Sequence, residues 1–247
     1  MKLLIVTQKV DQHDDILGFF HRWIEGFARR CEMVTVICLE KGSYVFPDNV
    51  RVLSLGKERG VSRLSYLRSL YGFVWQERKN YNAVFVHMNP IYVVLCGVLW
   101  RAWGKKIALW YTHKRIDLKL RIAEKFAHII FTASQKSFRL KSGKVCVVGH
   151  GIDTKEFAPH KKENTNTFQI VSVGRISPVK DYETFIQAVS VLVQEKFPVQ
   201  VAIMGDVVLE SERAYLAHMK SLVQEKHLDG VVTFVGSVPH KQLPEKL

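Results

Sequence analysis

Short apolar, β-branched runs alternate with longer stretches of helical spacing along the whole chain, and nothing else in the sequence limits its fold so tightly. KLLIVT at 2–7, MVTVICL at 33–39 and the runs at 50–55, 83–87, 106–111, 128–132 and 144–148 have the length and residue types of strands. Between them, 19–27, 62–79, 90–103, 116–126 and 135–140 read as helices. In 62–79 the apolar side is expected to hold Leu64, Leu67, Leu70, Tyr71, Val74 and Trp75, with Arg63, Arg68, Arg78 and Lys79 elsewhere. A parallel neighbour is reached only by a crossover, so strands joined by helices imply a parallel sheet with helices on both faces. The expected class is α/β, and ligands of such sheets lie beyond the carboxyl ends of the strands. A GxGxxG dinucleotide turn is not encoded: after the first strand, TQKVDQHDDILG has no glycine before Gly18.

The alternation breaks once. PHKKENTNT at 159–167 is polar and lies between strand-like segments, as a linker does. Strands then resume at 168–173, 199–203 and 231–235, helices at 180–196 and 211–227, and a further helix is expected to open near Pro239. Two domains are therefore expected in the 247 residues, 1–160 and 161–247. Three strands are few for a doubly wound domain, so the second is expected to be incomplete.

That second domain opens on IVSVGRISPVKDYETFIQAVSVLVQEK at 170–196. Its apolar run stops at Gly174, and Tyr182, Phe185, Ile186, Val189, Leu192 and Val193 then form one helical stripe. A turn from strand to helix aims unpaired N–H groups and the positive end of the helix dipole at whatever lies above the sheet. Arg175 and Lys180 stand in that turn. An arbitrary pair of this kind is often a pair of solvated loop charges. A guanidinium fork and a mobile ammonium together nevertheless suit a diphosphate, and Gly174 permits close backbone approach to it.

GRISPVKDYETFIQA resembles the G-R-x(4)-K-G/D segment of family-4 retaining glycosyltransferases, the group 1 glycosyl transferases of GT-B fold. VVGHGIDTKEFAP at 147–159 is similar to that family's pNGvD…F.p segment, with Gly151, Asp153 and Phe157 in register. AHIIFTAS at 127–134 resembles its aD.vi..S strand, and VTFVGSVPHKQLPEKL at 232–247 its V.f.G.v segment. The resemblance implies two Rossmann-like domains with parallel sheets, an N-terminal acceptor domain and a C-terminal nucleotide-sugar domain, with a cleft between them. It also implies hexosyl transfer from a nucleotide diphosphate sugar to a glycan or lipid-linked acceptor, with retention at the anomeric carbon.

By the same resemblance Gly174, Arg175 and Lys180 hold the donor diphosphate and neutralise the departing charge, so no metal or other cofactor is expected. His113, in ALWYTHKRID, matches the family's vHd position and takes the catalytic role; Ser237 and Val238 resemble its base-contacting turn. Asp14, Asp15, His21 and His87 are the acceptor-side candidates, since carboxylates and imidazoles accept from sugar hydroxyls. The family's Gly-Gly loop after the first strand is lacking. Its E-x(7)-E segment is not reached before Leu247, and Glu195 and Glu225 precede that place. Two alternatives are a nucleotide-sugar epimerase on the same fold and a non-catalytic nucleotide-binding fragment or subunit.

Charge adds a further expectation. Within a net charge of +13, residues 1–164 hold 28 Lys and Arg against 14 Asp and Glu, whereas 165–247 hold 8 against 9. A basic N-terminal half suits an anionic surface, and aromatics interleave with cations at 63–79 and 100–106 as in a helix lying on anionic headgroups. No nucleic-acid-binding module is recognisable, so nucleic acid is not expected as a partner. Cys31, Cys38, Cys96 and Cys146 have neither CxxC nor zinc-ligand spacing, which fits a reducing compartment. The first apolar run is too short for a signal peptide, and the longest, 91–100, falls short of the ~20 residues of a membrane span. The expected location is the cytoplasm, peripheral at the inner face of the membrane.

Overall fold

The computed structural model describes residues 1–14, 16–158, 166–239 and 242–247. The chain divides into two compact units, Met1–Gly151 and Ile152–Leu247. The boundary expected at 160 and residues 159–165 of the expected linker lie outside the described residues.

In the first unit β1 (Lys2–Val10), β2 (Met33–Lys41), β3 (Val50–Ser54), β4 (Ala83–His87), β5 (Lys106–Trp110), β6 (Ile129–Thr132) and β7 (Val145–Val147) form one sheet. Their order is β3-β2-β1-β4-β5-β6-β7 and every pairing is parallel. The order in which strands are added reverses between β1 and β4: β2 and β3 extend the sheet on one side of β1, and β4 to β7 on the other. Because crossovers are right-handed, helices on the two sides of that reversal fall on opposite faces. α1 (Phe19–Ala28) covers one face through Phe20 and Ile24, over Leu3, Ile5, Val34 and Val36. α2 (Arg63–Gln76), α3 (Ile91–Ala102) and α4 (Leu118–Phe126) contribute to the core on the other, with Leu70, Val93, Trp100 and Leu120 around Leu4, Val6 and Leu109. Both faces of β1 are thus buried, which is why it reads as an unbroken apolar run rather than an alternating one.

β1 continues three residues past the expected end at Thr7, because Lys9 and Val10 keep their pairing with Glu40 and Lys41. Residues 135–140 do not form the expected helix: Gln135–Ser137 make a single 3-10 turn, closed by the Ser134 and Ser137 hydroxyls 2.8 Å apart, and Phe138 leaves it in an extended conformation. So short a run cannot repay the cost of helix nucleation. The expected faces of α2 are also corrected. Leu70 and Val74 are buried, but Leu64, Leu67, Tyr71 and Trp75 are exposed, so the helix is apolar on two sides.

Several polar groups inside the first unit are paired in chains, while Thr35 Oγ1, Thr132 Oγ1 and His87 Nε2 have no partner among the described residues. Trp100 Nε1 donates to Tyr81 Oη at 3.2 Å, and that hydroxyl donates to the Val74 carbonyl at 3.2 Å, one of the last carbonyls of α2. Lys105 Nζ donates to the Tyr81 carbonyl at 2.6 Å. Buried Glu77 accepts from Arg51 at 2.8 Å and from Asn80 at 2.9 Å.

The second unit has three parallel strands, β8 (Phe168–Val173), β9 (Val199–Met204) and β10 (Val232–Gly236), in the order β10-β9-β8. α5 (Tyr182–Gln194) and α6 (Arg213–Glu225) share one core with them, packing Tyr182, Ile186, Val189, Met219 and Val223 on Val201 and Ile203. α5 starts two residues later than expected because Pro178–Lys180 form a 3-10 turn first. α7 (Leu243–Lys246) is a single turn, opening later than the Pro239 expectation. Among the described residues no helix is long and apolar enough to cross a membrane.

Tyr81→Phe should lower unfolding stability by about 1–3 kcal/mol, since it leaves the buried Trp100 N–H and the Val74 carbonyl without partners while changing almost no volume. Urea denaturation of the two proteins checks this through the midpoint at unchanged slope.

Candidate functional site

In the second unit all three strands finish at a glycine in the left-handed half of backbone space: Gly174 at φ +147°, Gly205 at +143° and Gly236 at +83°. They are joined side by side. Gly174 N donates to the Met204 carbonyl at 2.9 Å and Gly205 N to the Gly236 carbonyl at 2.8 Å, while Ile176 N reaches the Asp206 carbonyl at 3.0 Å. A Cβ on Gly205 would fall on the Gly174 carbonyl, so only glycine lets these strand ends lie this close.

The turn that follows Gly174 carries both cations. A Cβ built on Gly174 would sit 3.5 Å from Lys180 Nζ, which places the ammonium directly over the glycine. Arg175 is the next residue, and both side chains are exposed. Among the described residues neither cation has an ion-pair partner. Asp181 adopts φ +52° and accepts from Thr184 N at 3.4 Å as the cap of α5. Asp tolerates the left-handed region better than most residues, which gives a physical reason for Gly or Asp after the lysine. Between the cations Ser177 is fully buried, and its hydroxyl has no partner among the described residues.

One part of the expected anion site is already spent. Tyr182 N donates to Tyr215 Oη at 3.0 Å, so with Thr184 N bound to Asp181 two of the first N–H groups of α5 are occupied. Attraction for an anion therefore falls to the Arg175 and Lys180 side chains and to the glycine-edged backbone. Ser237, exposed, and Val238, half-buried, follow Gly236 at the same edge of the sheet. Sequence reading missed Gly205 and Gly236; the signal was there in the repetition of VSVG, AIMG and TFVG.

In the first unit the candidates gather at the carboxyl edge of the sheet, on the loops after β1, β4 and β5 and on α1. His87 ends β4 at the reversal point: Thr7 Oγ1 of β1 lies 3.2 Å from its Nδ1, and its ring stacks on Phe20 at 3.9 Å between centroids. It is 1% exposed, its Nε2 has no partner among the described residues, and burial pushes its pKa down to about 3. The imidazole is therefore neutral near pH 7. Met88 turns the chain away at φ +64°, with the Thr112 hydroxyl 3.3 Å from its sulfur, which ties the β4 turn to the end of β5. His113 stands on the loop after β5, exposed and edge-on to Tyr111 at 5.5 Å. The Tyr111 hydroxyl braces that loop by donating to the Arg115 carbonyl at 2.8 Å.

Asp14 and His21 are committed to the fold. The Asp14 carboxylate accepts from Leu17 N at 2.7 Å and Ile16 N at 3.0 Å and pairs with Lys9 at 2.8 Å. Burial raises its pKa, but Lys9 and the two N–H groups outweigh that and hold it below the usual carboxylate value. His21 accepts from Val45 N at 3.3 Å, approaches Glu25 at 3.4 Å and stacks on Phe46, with burial lowering its pKa. Asp15 lies outside the described residues. Among the described residues no three His, Cys, Asp or Glu side chains are grouped to hold a metal ion. An apolar pocket of about 240 Å³ opens at the opposite edge, where β1, β4 and β5 begin, between Leu3, Phe27, Phe85 and Ile107. Its wall offers almost no polar atoms.

Residues 153–247 match the family model of glycosyl transferases group 1, a span that contains the whole glycine-edged turn. Among solved structures, Anabaena HepE in complex with UDP is similar over 98% of this chain and 71% of its own, at 16% identity and a TM-score of 0.71. A glycosyltransferase from Rickettsia africae is similar over 99% and 70%, at 10% identity and a TM-score of 0.71. A UDP-GlcNAc 2-epimerase from Methanocaldococcus jannaschii is similar over 99% and 75%, at 10% identity and a TM-score of 0.55. No curated protein matches the chain by sequence. At these identities the likeness is one of fold: an α/β architecture of parallel sheets, as in GT-B glycosyltransferases.

The burial of His87 has a measurable consequence. An unfolded histidine binds its proton near pH 6.5, whereas the folded ring stays neutral to about pH 3, so the unfolded state takes up the proton first as pH falls. Stability from this group is complete above 6.5 and is lost through the window below it. Between about pH 7 and about pH 5 the loss should be about 2 kcal/mol. His87→Phe should remove that part of the slope, as read by denaturant unfolding at the two pH values.

Proposed function

We propose that this chain binds a nucleotide diphosphate sugar at the carboxyl edge of β8–β10 and transfers its sugar to an acceptor. The observation that carries the reading is the pair of cations, free of ion pairs among the described residues, around a glycine turn that lies within the segment matching glycosyl transferases group 1. A diphosphate leaving a sugar gains negative charge as the C1–O bond breaks. Fixed cations at the place where that charge develops lower the barrier more than they favour the ground state. Arg175 offers a planar fork and Lys180 a point charge, and together they supply the positive charge for which other enzymes recruit a metal. Gly174 leaves the backbone bare beneath Lys180 where phosphate oxygens approach, and Gly205 yields its side-chain space to the Gly174 carbonyl.

The finer assignments extend the same reading. The sugar is a hexosyl group, its anomeric configuration is retained, and the acceptor is a glycan or a lipid-linked glycan. His113, exposed on the loop after β5, orients the donor sugar. Ser237 and Val238 meet the base, and His87, Asp14, Asp15 and His21 belong to the acceptor side, with Asp14, His21 and the buried His87 shaping it rather than touching sugar. Because HepE was crystallised with UDP, uridine donors are the first to test. The likeness to a UDP-GlcNAc 2-epimerase supports a second reading, isomerisation of the sugar on its nucleotide. Incubation of donor without acceptor separates the two: an epimerase converts it, a transferase leaves it intact apart from slow hydrolysis.

Titration of UDP into the chain should show binding that Arg175→Ala weakens about tenfold or more, the effect of losing a charge-assisted hydrogen bond worth about 1.5–3 kcal/mol. Lys180→Ala should act in the same direction, and Lys220→Ala, on α6, should change nothing. Equal affinity of Arg175→Ala and the parent chain by calorimetry contradicts the reading.

A further inference from the structure

The outer face of α2 is built to meet something other than water. Leu64 is 75% exposed, Trp75 55% and Val98 of the neighbouring α3 60%, with Leu67 and Tyr71 completing the stripe along α2. Leu64, Leu67, Tyr71 and Trp75 follow helical spacing, so they share one side of the helix, away from buried Leu70 and Val74. The stripe continues onto the end of α3, where Trp103 meets Trp75 edge-on at 5.7 Å and the Tyr71 hydroxyl donates to the Leu95 carbonyl at 3.1 Å. Single exposed apolar residues are ordinary; a contiguous run over two helices is not.

The cations around it decide what fits. Residues 60–106 carry seven Lys and Arg and one acidic residue, Glu77. That carboxylate is 5% exposed and bonded to Arg51 and Asn80, so it presents no negative charge to the surface. Arg78 lies 4.3 Å over the Trp75 ring and donates to the Trp75 carbonyl at 2.7 Å. Arg63, Arg68 and Lys79 are exposed and have no ion-pair partner among the described residues. Tryptophan and tyrosine beside uncompensated cations, on the flank of a helix, match the level of lipid headgroups, where rings sit at the acyl boundary and cations meet phosphate.

We infer that the α2–α3 face docks on a bilayer rich in anionic lipid. Trp75 enters the headgroup layer beside the half-buried Trp103, Leu64, Leu67, Tyr71 and Val98 rest on it, and Arg63, Arg68, Arg78 and Lys79 pair with lipid phosphates. Trp75 and Trp103 lie where α2 and α3 run into β4 and β5, at the edge opposite the His87 and His113 loops. Docking through them leaves those loops open to a substrate.

Co-sedimentation of the chain with vesicles of phosphatidylcholine alone and of phosphatidylcholine with phosphatidylglycerol tests the inference. Retention is expected on the anionic vesicles only and should fall as salt rises. Arg68→Gln with Lys79→Gln should weaken partition about twenty-five-fold, at roughly fivefold per cation. Trp75→Ser and, on the other helix, Val98→Asp should each weaken it while leaving the circular dichroism spectrum and melting temperature unchanged. No retention on anionic vesicles, equal retention on neutral ones, or indifference to all these substitutions would overturn the inference. So would a concentration-dependent dimer that Trp75→Ser abolishes, since the face would then belong to a second copy of the chain.

Discussion

Three backbone strands in the second unit end so close together that no side chain fits between two of them. Gly205 faces the Gly174 carbonyl where a Cβ would collide with it, and that approach fixes the direction in which the chain leaves β8. The left-handed Gly174 sends the chain over the strand ends, the 3-10 turn at Pro178–Lys180 brings the lysine back above the glycine, and Asp181 takes a second left-handed conformation to start α5. The position of each cation thus follows from backbone geometry rather than from contacts of its own. Such an arrangement costs the protein the stability that paired charges would add, which is small at a surface, and leaves the charges available.

The first unit makes the opposite use of its polar groups. Lys9 holds Asp14 and Glu40, Asp14 caps the turn that leads into α1, His21 bridges to Val45, and Asn49 reaches the Ala28 and Cys31 carbonyls. The bonds of Lys9, Asp14 and His21 shape the loops over the carboxyl edge of the sheet, Asn49 ties the amino edge where β2 and β3 begin, and little is left to bind a ligand. His113 differs in being exposed on a loop that Tyr111 braces from below. His87 sits between these cases, buried and neutral against Phe20 with one ring nitrogen unanswered among the described residues.

Much of the fold was legible because it rests on periodicity. The strand at 83–87 and the strand at 168–173 lie where apolar runs end at turn residues, and the stripe from Tyr182 to Val193 lies on the sheet. Packing across the sheet was less so. Leu64 and Trp75 have the same apolar character as Leu70 and Val74, and spacing alone cannot say which of two apolar faces meets the core. The run 135–140 has helical composition but too few residues to pay for a nucleus. At the candidate site Gly174, Arg175 and Lys180 were visible because they are contiguous. Gly205 was less so: AIMG marks an apolar run that stops at glycine, but the residue 31 positions earlier to which that glycine yields space is not written in the local pattern. The fate of Asp14 was hidden likewise, since its Lys9 partner lies in what read as a loop rather than as the extension of β1.

A crystal structure of the chain grown with UDP would decide whether the glycine-edged turn is a diphosphate site. The expected map places both phosphates within hydrogen-bonding distance of Arg175 and Lys180, against the backbone at Gly174. Density for the nucleotide at another place, with those two side chains still facing solvent, would contradict the reading.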